Sequence, residues 1–193
     1  MKITPKIEKA VKTASHYHRG QVRKGGASLP YVSHLFSVAA LLSEYVGEEE
    51  EVIIAGLLHD TLEDTIYDRG ALERDFGSRV LAIVEEVTET KEDSAGQKIS
   101  WKKRKEEALG KARTASAEGL VVKTADHTHN LENIIDDYIE YGPAIWKNFA
   151  ASLSEMLWYH RTLLTILEER LNSPLVSRYR VAVERAEKEF KES

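Results

Sequence analysis

"GLLHDTLEDT", residues 56–65, sets a histidine and three acidic side chains directly after an apolar run. Ile53, Ile54, Leu57 and Leu58 belong to a helix that buries itself, and His59, Asp60, Glu63 and Asp64 follow at once. Uncompensated charge beside a core is costly. Either this is a polar helix end facing water, or something cationic sits against it. Adjacent helical residues point about 100° apart, so His59 and Asp60 can reach one centre only at a helix end or a kink. The segment "TLEDT" supplies such an end.

Helical periodicity dominates outward from this stretch. Ile7, Ala10, Val11, Ala14 and Tyr17 make one apolar stripe. A second helix is expected from about Tyr31, carrying Leu35, Val38, Ala39 and Leu42, after a turn at "GGASLP" (25–30). "GEEEE" opens a third with acids in its first turn, where the helix dipole favours them, and this helix is expected to run to about Leu62. Further helices are read at 69–76, around Val80–Val87, at 100–114 and at 118–135, with "KEDSAGQK" (91–98) as a loop. "YGP" (141–143) breaks the pattern before a long helix over 144–171 and a last one after "NSP". No strand alternation is evident. The reading is one all-α domain over residues 1–193, a helical bundle.

Composition narrows the functions. A chain of 193 residues can bury a real core. With no cysteine, disulfides, thiolate zinc sites and cysteine nucleophiles are excluded. A net charge of −5 argues against general nucleic-acid binding. No apolar run approaches the roughly 20 residues that span a bilayer, and the N-terminus lacks a signal-peptide core, so no membrane association and a cytoplasmic location are expected.

The histidines stand at 16, 18, 34, 59, 127, 129 and 160. His34 follows "PYVS", and Asp126 lies in "VVKTADHTHN", where Val121, Val122 and Ala125 bury one side of a helix. Two imidazoles and two carboxylates suit a borderline divalent ion such as Mn, Fe, Co, Ni or Zn, with positions left for water or substrate. Spacing alone does not assemble them. His34 and His59 are 25 residues apart, and Asp60 and Asp126 are 66 apart.

The pattern His34 … His59-Asp60 … Asp126 resembles the HD-domain metal phosphohydrolases. "HRGQVRKGGASLPYVSHL", "GLLHDTLEDT", "FGSRVLAIVEEVTETK" and "VVKTADHTHNL" are similar, in that order from residue 18 to 131, to the hydrolase domain of the Rel/Spo stringent-response proteins and still more to the small alarmone hydrolases. "WKKRKEEAL" (101–109) and "LWYHRTLLTILEERL" (157–171) extend the likeness less specifically. The resemblance implies a single HD-domain helical bundle that removes the 3′-pyrophosphate of guanosine tetra- or pentaphosphate (ppGpp, pppGpp), without room for the family's synthetase domain. It implies one divalent ion, usually Mn²⁺, on His34, His59, Asp60 and Asp126. It gives Glu63 and Asp64 the role of activating water, sets Arg23 and Lys24 beside a guanine nucleotide, and puts Asn130 on the nucleoside. The chain departs from the family at His127 and Thr128, where a base and an apolar residue are usual.

Plainer readings stand beside these. Glu63 and Asp64 can be a solvated helix end, and Arg23-Lys24 an ordinary charged loop. His18 reads as a structural hydrogen-bonder, and His127 and His129 as neighbours of Asp126 rather than ligands. The basic run 101–107 reads as a solvated face, though it can attract an anion. Trp146, Phe149, Trp158 and Tyr159 read as core. Alternative functions are an HD nucleotidase acting on another nucleoside phosphate, and a non-catalytic nucleotide sensor.

Overall fold

Thr4 caps the first helix, accepting from the Ile7 amide at 3.1 Å, and Pro5 takes the first helical position, where its missing N–H is no loss. The computed structural model describes residues 2–24 and 29–190. Most of the turn read at 25–30, including Gly25 and Gly26, lies outside them. The helices are α1 (Pro5–Tyr17), α2 (Val32–Tyr45), α3 (Glu50–Leu58), α4 (Thr61–Asp64), α5 (Arg69–Phe76), α6 (Ser78–Val87), α7 (Trp101–Ala112), α8 (Ala117–Tyr141), α9 (Leu153–Arg170) and α10 (Pro174–Glu189). Among the described residues the only extended pairings are isolated bridges, Val22 with Pro30 and Glu92 with Lys98. The all-α reading holds.

Every residue of α3 from Val52 to Leu58 is buried. A helix apolar all round belongs inside, and α3 packs against α1, α2, α6 and α8. Gly56 permits the close approach of α2: a Cβ there would lie 2.2 Å from Leu42 Cδ1. The third helix stops at Leu58 rather than near Leu62, because the chain turns at His59-Asp60 and restarts as the short α4. α8 runs to Tyr141, beyond the expected 135, and ends at Gly142 with φ 67°, a left-handed conformation that glycine takes without strain.

The long helix expected over 144–171 is two pieces. Residues Gly142–Asn148 form a 3₁₀ segment, and α9 starts only at Leu153. Ser152 and Glu155 make a reciprocal capping box there, which satisfies the first amides of α9 and fixes its start.

Two apolar clusters divide the chain. One gathers α1 to α6 with Val121, Val122 and Ala125 of α8; the other gathers Leu109, Leu120, Leu131 and Ile135 with residues of α9 and α10. α8 belongs to both, so its polar face lies at the seam between them. Among the described residues no helix is long and apolar enough to cross a membrane.

Candidate metal centre

Lys123, Asp126, His127 and Asn130 recur along α8 at the spacing that puts them on one face. That face meets the start of α2, which carries His34, and the α3–α4 turn, which carries His59 and Asp60. His34 Nε2 lies 3.1 Å from Asp126 Oδ1 and 3.9 Å from Asp60 Oδ2. His59 Nε2 lies 3.0 Å from Asp60 Oδ2 and 3.5 Å from Asp126 Oδ1. The donor atoms of His34, His59 and Asp126 all fall within 4.8 Å of one another. The structure thus brings together two imidazoles and two carboxylates that are far apart in sequence.

The site fits a metal ion on two counts. Both Nε2 atoms are buried, and despite these short distances neither makes a directed hydrogen bond. Their other nitrogens are engaged. His59 Nδ1 donates to the Gly56 carbonyl at 2.8 Å, which leaves the lone pair on Nε2, and His34 Nδ1 lies 2.8 Å from Nδ1 of His129. Charge agrees. Burial pushes Asp60 and Asp126 up, but the surrounding imidazoles outweigh it and hold both below the usual carboxylate range. Burial lowers His59, yet Asp60 and Asp126 overcome it and raise the imidazole, so the space between the carboxylates favours a cation. Mixed nitrogen and oxygen donors suit a borderline divalent ion.

The site opens into a cavity of about 930 Å³ lined by Arg23, Lys24, Glu63, Asp64, Lys91, Lys105, Lys123, Asn130 and Tyr159, among others. A shallower depression of about 510 Å³ along α1 has no such convergence. Glu63 and Asp64 stand on α4, one turn past the donors. Glu63 Oε2 accepts the Glu89 amide at 3.0 Å, and its Oε1 lies 3.2 Å from Lys91 Nζ. Lys91 also pairs with Asp64. Burial, and then the charge of Asp60, raises the Glu63 carboxyl above its ordinary value. On the opposite wall Arg23 donates to Asn130 Oδ1 at 2.8 Å, Asn130 donates to Asp126 Oδ1 at 2.6 Å, and the guanidinium sits 5.7 Å from the Tyr31 ring centre. Lys24 is exposed on the rim.

Other polar groups take supporting positions. His18 Nδ1 meets Gln21 Oε1 at 2.7 Å, and Gln21 donates to the Asp64 carbonyl at 2.9 Å, so His18 braces the acidic turn. His127 Nε2 meets the Tyr159 hydroxyl at 2.9 Å and joins no donor cluster. Within the basic run, Lys102 and Lys103 are exposed as read. Arg104 and Lys105 instead turn into the cavity and pair with Glu89 at 3.4 and 2.6 Å. Tyr31, Lys91 and Lys123 carried no sequence signal of this kind. Tyr31 stands three residues before His34, one turn away, which is the only hint of its place.

A family profile for the HD domain matches residues 10–154. The chain belongs to the HD-domain family. Mouse guanosine-3′,5′-bis(diphosphate) 3′-pyrophosphohydrolase MESH1 (Mus musculus) is 30% identical over 170 residues, covering 81% of this HD-domain chain and 90% of the mouse protein. GTP pyrophosphokinases of Streptomyces coelicolor and Myxococcus xanthus are 37% identical over 128 and 131 residues, 66% of this chain in each case. The chain spans only 14% and 17% of the lengths of those two relatives. A solved structure of a metazoan SpoT ortholog described as hydrolysing ppGpp superposes with TM-score 0.79 at 24% identity, over 96% of this chain and 97% of its own, a likeness of fold. In this HD domain the His59-Asp60 pair straddles the α3–α4 break, so both side chains of adjacent residues face one centre.

Proposed function

We propose that this chain is a metal-dependent 3′-pyrophosphohydrolase of guanosine tetra- and pentaphosphate, acting as one domain over residues 1–193 in the cytoplasm. The observation that carries the reading is the hydrogen-bonded line Arg23–Asn130–Asp126. It ties a guanidinium able to stack on a base to a carboxylate of the donor cluster, at a fixed separation. The name of the mouse relative, which matches over nearly its whole length, supports the substrate.

In this reading His34, His59, Asp60 and Asp126 hold one divalent ion, Mn²⁺ by family likeness. Such an ion supplies Lewis acidity at the scissile phosphate and lowers the pKa of water nearby. The remaining work falls to the chain. Glu63, in its half-dry position, accepts a proton as water attacks the phosphorus attached to the 3′ oxygen. The P–O3′ bond breaks, the ribose oxygen takes a proton, and GDP or GTP leaves with pyrophosphate. Asp64, held by Lys91, orients the water. Arg23 stacks on guanine, Asn130 meets the nucleoside, and Lys24 approaches a phosphate from the rim. Neither nucleic acid nor a membrane has a role.

One observation favours a second reading, hydrolysis of another nucleoside phosphate. His127 stands where the family has a base, and its buried ring, at the cavity wall, is tied to Tyr159. A Mn²⁺-supplemented assay over ppGpp, GTP and deoxynucleoside monophosphates, with products identified, separates the two. GDP and pyrophosphate from ppGpp are expected. Release of single orthophosphates, or equal use of deoxynucleoside monophosphates, would overturn the alarmone reading.

A further inference from the structure

Lys123 is 4% exposed, lines the cavity, and makes no hydrogen bond or ion pair with any other described residue. It stands on α8 one turn before Asp126. The carboxylates around it are committed elsewhere. Glu89 receives Arg104 and Lys105, Glu63 receives the Glu89 amide and Lys91, and Asp126 belongs to the donor cluster. Glu89, Asp126 and Glu63 all act on Lys123 through space, yet none of them pairs with it directly, and Lys105 repels it. The lysine stem is buried, but its ammonium is not fully enclosed and lines the cavity without a protein partner, a position that is costly to hold charged. Burial lowers the Lys123 pKa, with Glu89 pulling the other way. An uncompensated cation on the wall of a cavity, beside a metal-type donor cluster, calls for an anion that arrives with the ligand.

We propose that Lys123 is the buried end of an anion subsite that receives a phosphate group of a diphosphate whose other phosphate lies at the donor cluster. The ammonium meets non-bridging oxygens in a charge-assisted hydrogen bond, strengthened by the largely buried position of the side chain. The inference rests on the nucleotide reading for the diphosphate; the structure by itself gives an unpaired lysine on the cavity wall one helical turn from the donor cluster, a site for an anion.

The test uses inorganic pyrophosphate as the probe. Lys123→Met and Lys123→Gln are made in the full chain, and pyrophosphate is titrated into metal-loaded and metal-free protein by calorimetry. The expected result is a Kd raised about tenfold or more in both variants, the usual contribution of a charged hydrogen bond. The unfolding temperature of the unliganded variants should be unchanged or higher, because a stranded charge has gone. A structural lysine would give the reverse pattern, lower stability with affinity intact. In the wild-type protein, pyrophosphate should also slow reductive methylation of Lys123, read by peptide mass spectrometry, which covers the case of variants that do not fold. Unchanged pyrophosphate affinity in folded variants, or no protection of Lys123, overturns the proposal. Lys123-dependent pyrophosphate binding in a protein that leaves ppGpp intact would remove the alarmone reading and leave the subsite standing.

Discussion

The Tyr31 hydroxyl donates to Oδ2 of Asp60 at 2.5 Å, across the gap between the start of α2 and the α3–α4 turn. The same oxygen lies 3.0 Å from His59 Nε2, so the phenol sets the orientation of a carboxylate that borders the donor cluster. Outer partners of this kind tune ligands without binding the ion. Tyr31→Phe should keep the helical fold and weaken divalent-ion affinity about 10- to 100-fold, the usual range for such partners. Chelator competition measures it, and an unchanged affinity would reduce the contact to packing.

Removing the carboxylate itself should be more severe. Asp60→Ala is expected to lose both bound metal and activity while circular dichroism keeps its helical signal. Metal analysis of the purified variant decides the matter; a full equivalent retained would exclude Asp60 as a ligand.

Glu63 and Asp64 should separate from the ligands. Glu63→Gln and Asp64→Asn should retain the ion and lose turnover by about 10²-fold or more, since general acid–base groups contribute roughly 10²–10⁴. Near-normal kcat in both would return them to a lysine-capped helix end.

On the facing wall, Arg23→Ala should raise KM for ppGpp strongly and leave metal content intact, because it removes ground-state binding. Preference for guanine over a ligand lacking a base should weaken as well. A KM that stays put would mean that the Arg23–Asn130 bond serves the loop alone.

His160 gives a pH test away from the donors. Burial lowers this imidazole to about 3, while its Nδ1 meets the Tyr179 hydroxyl at 2.6 Å. An unfolded histidine titrates near 6.5, so between pH 6.5 and 3 the unfolded chain binds the extra proton and stability falls with pH. By pH 5 the loss from this one residue is about 2 kcal/mol. Urea unfolding at pH 7 and pH 5 should show a shallower fall in His160→Gln than in the wild type. Equal slopes would mean that His160 takes up its proton in the folded state.

Much of the fold was legible because helices announce themselves locally. Stripes such as Ile7, Ala10 and Ala14 recur with the helical period, and the structure buries all three. The misread segments failed for local reasons too. The expected helix over 144–171 ignored Ser152 and Glu155, a capping box three residues apart that starts α9 where the apolar pattern alone would not. The expected end of the third helix near Leu62 missed the turn between Leu58 and Thr61, because apolar and polar residues alternate there as they would along an unbroken helix.

By itself, then, the chain determines its helical class, the approximate order of its helices, and the short polar words in which the candidate ligands occur. Those properties depend on residues a few positions apart, where side-chain period, caps and turns act. Tertiary structure decides the rest. Only the packing of α8 across two apolar clusters sets Asp126 beside His34 and His59, and the packing of α7 against α6 and α9 turns Arg104 and Lys105 inward onto Glu89. Lys123 is the clearest case. In sequence it is one lysine in an apolar stretch, free to reach water. Its burial against the cavity wall follows from tertiary packing, and no local rule can foretell which neighbouring carboxylates will already be paired there.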